Sequence, residues 1–129
     1  MFKKRGLLLA SMFVSRRFHV VVDACDCDPK ALVDKAHIEN IIRTTALMCD
    51  MKILHGPVII EGVPENPGVT GFAIIDFSHI SVHTFSENNE ICVDIFSCKP
   101  FDYGAVKEFV RKSFGLREES TRVVHIEHK

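Results

Sequence analysis

A chain of 129 residues, 47% of them hydrophobic, holds enough material for one domain with a real core and too little for two ordinary ones. Its 16 basic and 17 acidic side chains leave a formal charge of -1, which removes any general pull toward nucleic acid or an anionic membrane and leaves local sites as the guide to partners. The five cysteines are odd in number and include no C-x-x-C pair of the kind that holds zinc, so reduced thiols in a cytoplasmic protein, and no metal, are expected.

At the N-terminus, Lys3-Lys4-Arg5 and the apolar run from Gly6 to Val14 imitate a signal peptide. Arg16-Arg17 follow at once, however, and no small-x-small cleavage site precedes the first strand. The run also falls well short of the roughly 18 residues a membrane span needs. Residues 1–17 therefore read as an N-terminal extension and 18–129 as the single domain.

Residues 18–24 are β-branched and run into Cys25-Asp26-Cys27-Asp28-Pro29, a strand followed by a turn. A metal site there is disfavoured, because C-x-C with scattered aspartates lacks the spacing of a tetrahedral cage. Asp28 is placed to cap a helix opening on Pro29 and running to about Met48. Residues 52–61 predict a strand interrupted at Gly56-Pro57, as on a sheet edge. Residues 62–68, with two prolines and two glycines, predict a surface loop.

Two extended stretches, 70–76 and 80–85, meet near Ser78, and Glu87-Asn88-Asn89-Glu90 turns the chain into a third, 91–96. Residues 103–114 show helical apolar spacing at Val106, Phe109, Val110 and Phe114, with Gly115 placed to end the helix. Lys107 and Arg111, four apart, read as its solvated face, and His125 and His128 as a solvated tail. A last strand is predicted over 121–126. The order gives an α+β domain, a mainly antiparallel sheet with two helices packed on one face, and its uncovered sheet surface makes a homodimer a reasonable expectation.

Gly68-Val69-Thr70-Gly71, Phe77-Ser78-His79-Ile80-Ser81-Val82-His83-Thr84-Phe85-Ser86-Glu87 and Asp94-Ile95-Phe96-Ser97-Cys98 together resemble the core of the prokaryotic S-adenosylmethionine decarboxylase proenzymes, and the spacing of Ser78, His83, Glu87 and Cys98 agrees without a gap. Recognisable similarity runs from about residue 18 to 98. The resemblance implies a chain that makes its own cofactor, a pyruvoyl group generated from Ser78. The Ser78 hydroxyl would attack the Phe77 carbonyl, and the resulting ester would eliminate to leave a residue that hydrolyses to pyruvoyl. It further implies His83 as the processing base, Thr70 as the hydroxyl that assists it, and a ketone that takes the substrate amine as a Schiff base. Cys98 would be the proton donor and Glu87 the acid that binds the substrate's ribose hydroxyls. A thiol of ordinary pKa, about 8.5, is mostly protonated at neutral pH and suits that task.

The implied reaction converts S-adenosylmethionine into the aminopropyl donor of polyamine and spermidine synthesis. Two alternatives stand beside it: the same chemistry on arginine or ornithine, and an unprocessed, non-catalytic homologue that binds a ligand or an active subunit. Four departures from the family pattern bear on the choice. Phe77 stands where the family usually has glutamate, Phe85-Ser86 where it has tryptophan and proline, Pro64 where an aromatic residue stacks on adenine, and Lys99-Pro100 where a glycine commonly follows the cysteine. His79 reads as positional.

Overall fold

The computed structural model describes residues 14–128, so the basic and apolar run over residues 3–13 lies outside the described residues. Six strands, β1 (Phe18–Ala24), β2 (Ile53–Val63), β3 (Asn66–Ile75), β4 (Ser78–Phe85), β5 (Glu90–Ser97) and β6 (Thr121–His125), form one sheet in the order β2-β3-β4-β5-β1-β6. Every neighbouring pair is antiparallel. Three helices accompany it, α1 (Pro29–Leu32), α2 (Lys35–Met48) and α3 (Tyr103–Ser113).

Strict alternation sets the two faces of the sheet. Val20 and Val22 of β1, Ile80 and Val82 of β4, and Ile91, Val93 and Ile95 of β5 are buried on one face, with Ile38, Ile41 and Ile42 of α2 and Val106 and Val110 of α3 in the same core. Each such side chain contributes about 1.5–3 kcal/mol on burial. Gly71 lets α2 lie close, since a Cβ there would stand 2.7 Å from Ile42 Cδ1. Among the described residues no helix covers the opposite face.

The helix expected over 29–48 is two helices. Asp28 caps α1 through Lys30 N–H at 3.0 Å, but the extended Asp34 then accepts from His37 N–H at 3.1 Å and starts α2 afresh. The loop expected over 62–68 is a tight hairpin instead: Val63 pairs with Asn66, and only Pro64 and Glu65 turn the chain. β2 is the edge strand predicted from Gly56-Pro57, and its register shifts between His55 and Val58. Gly115 ends the second long helix as expected, with φ +62°. Arg111 does not lie on a solvated face. Its side chain is about one-quarter exposed and its guanidinium donates to Glu108 and, at 2.7 Å, to the carbonyl of Leu116, tying down the chain after α3.

Candidate active site

The junction between β3 and β4 is a two-residue turn, Asp76-Phe77, that the backbone of Lys52 clamps. Lys52 N–H donates to Asp76 Oδ1 at 3.0 Å, and Asp76 N–H donates to the Lys52 carbonyl at 2.9 Å. Ser78 follows with φ +140°, a region that side-chain-bearing residues rarely adopt and that costs on the order of 1–3 kcal/mol. Its Oγ lies 3.0 Å from Nδ1 of His79, a residue of the open sheet face. Ser78 pairs with Ser97 across β4 and β5, so Cys98 falls beside Phe77, and Cys98 N–H donates to the Phe77 carbonyl at 2.9 Å. The thiol-bearing residue itself is exposed. The residue that follows β5 thus holds the carbonyl of the very peptide bond that joins Phe77 to Ser78.

A second cluster lies toward the other end of the same strands. Thr70 faces His83 in register, and Thr70 Oγ1 stands 2.8 Å from His83 Nδ1, with the Phe85 ring edge-on to the imidazole at 4.6 Å. The backbone beneath is fixed: the Thr84 hydroxyl accepts from Val69 N–H at 2.8 Å and donates to the Leu32 carbonyl at 2.9 Å. Cys92, opposite His83 on β5, donates to Asp23 at 3.3 Å, and burial followed by that contact pushes its thiol up to about 12. Glu87 sits exposed in the turn that follows β4.

The two clusters do not meet within one chain. His83 is five positions along β4 from Ser78, roughly 16 Å in an extended strand. Between and around them the open face carries an aromatic ladder in which His79 is stacked between Phe72 and Phe96 at 5.6 and 5.5 Å, with His19 edge-on to Phe96 at 5.0 Å. His19 is held by Asp94 at 2.9 Å and by His128 at 3.0 Å, so His128, exposed as expected of the tail, also touches this ladder. Val58, Ile60, Phe72, Ile74, Val124 and Ile126 are exposed.

Of the residues the sequence groups in one centre, the structure brings Phe77, Ser78 and Cys98 together and, separately, Thr70 and His83, and leaves Glu87 in an exposed turn. The sequence pattern missed three features. The backbone N–H of Cys98 leaves no residue-type signal, and neither does the positive φ of Ser78. The third was in view: two departures from the family pattern touch each other, for Lys99 Nζ lies 4.6 Å from the centre of the Phe77 ring. Pro64 lines a shallow cleft of about 380 Å³ with Gly68 and Ser86, and no aromatic ring borders it. Among the described residues no group of three or more His, Cys, Asp or Glu side chains is placed to hold a metal ion.

Comparison with known proteins agrees in sequence and in fold. The family model described as S-adenosylmethionine decarboxylase matches residues 18–126. An S-adenosylmethionine decarboxylase proenzyme of Parasynechococcus marenigrum is 38% identical over 80 residues, 62% of this chain and 60% of that protein. One from Pyrococcus furiosus is 33% identical over 122 residues, 84% of this chain and 85% of that protein. The match to the cyanobacterial relatives spans only about three-fifths of their length. The crystal structure of the adenosylmethionine decarboxylase from Aquifex aeolicus, at 18% identity, superposes with a TM-score of 0.67 over 88% of this chain and 89% of that one, which establishes the shared fold.

Proposed function

The chain belongs to the S-adenosylmethionine decarboxylase family, and on that premise we propose that it is a self-processing, pyruvoyl-dependent decarboxylase that acts on S-adenosylmethionine and supplies the aminopropyl donor for polyamine synthesis. The observation that carries this reading is the Phe77-Ser78 junction. A hydroxyl-bearing residue with φ +140° follows a carbonyl that already accepts a backbone N–H at 2.9 Å. These residues fit the self-made group.

On this reading Ser78 Oγ attacks the Phe77 carbonyl carbon, and Cys98 N–H stabilises the negative charge that develops on the oxygen. Converting the peptide bond to an ester also releases the backbone constraint at Ser78. A pyruvoyl group, once formed at position 78, supplies an electron-withdrawing ketone that lets the substrate's carboxyl group depart as carbon dioxide. Cys98, exposed at the same junction, returns a proton to the α-carbon. Glu87 accepts from the ribose hydroxyls. Phe77 leaves no side-chain carboxylate at the new chain end, which does not impede a step whose electrophile is the backbone carbonyl.

His83 serves as base only if it reaches Ser78 from another copy. A two-fold axis across the strands at the level of Ser81, midway along β4 between Ser78 and His83, would lay the open faces of two protomers together and bring each Thr70-His83 pair to the other's junction. The exposed Val58, Ile60, Phe72 and Ile74 would be buried by that contact, as an apolar sheet face requires. Sheets stacked in this way lie about 10 Å apart, within reach of facing side chains.

Carbon dioxide release measured side by side from S-adenosylmethionine, arginine and ornithine tests the assignment. Turnover of S-adenosylmethionine is expected; turnover of an amino acid alone overturns the substrate, and absence of turnover with all three overturns the activity.

A further inference from the structure

Cleavage at Phe77-Ser78 creates a charge as well as a chain end. Elimination removes the Ser78 α-proton to a base and breaks the Cβ–Oγ bond of the ester. The electron pair stays on the departing Phe77 carboxylate, and water later converts the dehydroalanine to ketone and ammonia. A neutral carbonyl therefore becomes an anion on a residue that lines a cleft of about 430 Å³ together with Asp50, Asp76, Lys52 and Lys99. Placing a further carboxylate beside two others is unfavourable unless a cation is at hand.

Lys99 is held for that purpose. Its ammonium lies 4.6 Å from the centre of the Phe77 ring, and it donates to the backbone carbonyl of Asp50 and stands 3.6 Å from the Asp50 carboxylate. The lysine side chain is only 25% exposed, while its Asp50 partner is fully exposed and free to yield it. The loop that carries it is tied by local hydrogen bonds. Lys99 N–H donates to Ser97 Oγ at 2.9 Å, Ser97 Oγ–H donates to the Lys99 carbonyl at 2.7 Å, and Cys98 N–H between them holds the Phe77 oxygen. We propose that Lys99 is the cation that receives the Phe77 carboxylate as it leaves, accelerating elimination of the ester rather than its formation. This rests on the processing reading above. It also gives one reason for two departures from the family pattern: the apolar Phe77 ring seats the Lys99 ammonium by cation–π attraction on the very residue whose carbonyl will become charged.

The test is a time course of intact mass on the full-length chain, with hydroxylamine added to aliquots to split any ester. Lys99→Met is expected to form ester at the wild-type rate but to eliminate it about ten-fold more slowly, as loss of one charge-stabilising group would dictate. Hydroxylamine would then release residues 1–77 as a hydroxamate and a partner chain with an unblocked Ser78. Lys99→Arg should restore elimination, and Lys112→Met, an exposed lysine of α3 that does not line the cleft, should process normally. Lys99→Gln carries the test should the methionine variant fail to fold. Wild-type cleavage with equally fast, ester-free cleavage of the Lys99 variants overturns the role of Lys99 and leaves the junction reading standing. An uncleaved wild-type chain overturns the junction reading itself.

Discussion

Thr70 Oγ1 and His83 Nδ1 stand 2.8 Å apart in register across β3 and β4, a hydrogen-bonded pair that lies five strand positions from the serine it would serve. The separation dictates how the proposed chemistry must be organised. Ser78→Ala and His83→Ala chains should each remain unprocessed alone. When the two variants are unfolded, mixed and refolded, the His83→Ala chain, which keeps Ser78, should be cleaved by the histidine of its partner. Electrophoresis of the mixture checks this; no cleavage in the mixture would rule out a base supplied from a second copy.

The hydrogen bond between Thr70 and His83 orients the imidazole, so Thr70→Val should slow processing by roughly five- to ten-fold, the kinetic equivalent of about 1 kcal/mol, and Thr70→Ser should recover most of it. Rates of fragment appearance for the three chains decide the point. Equal rates for valine and threonine would remove Thr70 from the site.

Thiol behaviour separates the five cysteines. Burial, the largest cause in each case, pushes Cys27 and Cys92 up to about 12 and Cys49 up to about 11, whereas Cys25 and Cys98 are exposed. Alkylation followed by mass mapping at pH 8 should label Cys25 and Cys98 at least ten-fold faster than the other three. The sign of the stability effect follows from the raised values. The folded state favours the neutral thiols, a contribution intact below the ordinary thiol value and lost as pH rises toward 11–12. Denaturant midpoints should fall across that window, and less so in a Cys27→Ala chain.

Much of the fold was legible because burial leaves periodic marks. The stretches read as strands over 18–24, 80–85 and 91–96 return as β1, β4 and β5, with alternate positions buried. What escaped was set by single backbone contacts. Helical periodicity continues through Val33-Asp34, and only the capping bond from His37 N–H shows that Asp34 starts a new helix. Prolines and glycines in 62–68 mark a turn but not its length, which the Val63-Asn66 pairing fixes. At the site, residue types and spacing pointed to a single centre, which the structure divides between two ends of β4 within one chain. The distance between them, the φ of Ser78 and the amide of Cys98 are properties of backbone geometry, to which residue identity is silent.

Gly68 shows how tightly the Thr70-His83 end is built. It has φ +130°, and a Cβ there would stand 2.1 Å from the Thr84 carbonyl oxygen, a backbone atom with no room to move. Gly68→Ala should therefore cost on the order of 1–3 kcal/mol or more, lowering the urea midpoint while leaving far-UV helix content intact. An unchanged midpoint would mean that the hairpin shifts freely and does not hold Thr70 in place.

The central claim is self-cleavage between Phe77 and Ser78, and intact mass spectrometry of the purified full-length chain after prolonged incubation addresses it most directly. The account predicts two species, one ending at Phe77 and one beginning at position 78 with a pyruvoyl group and no free amine. A single uncut chain, or a cut at any other bond, would contradict it.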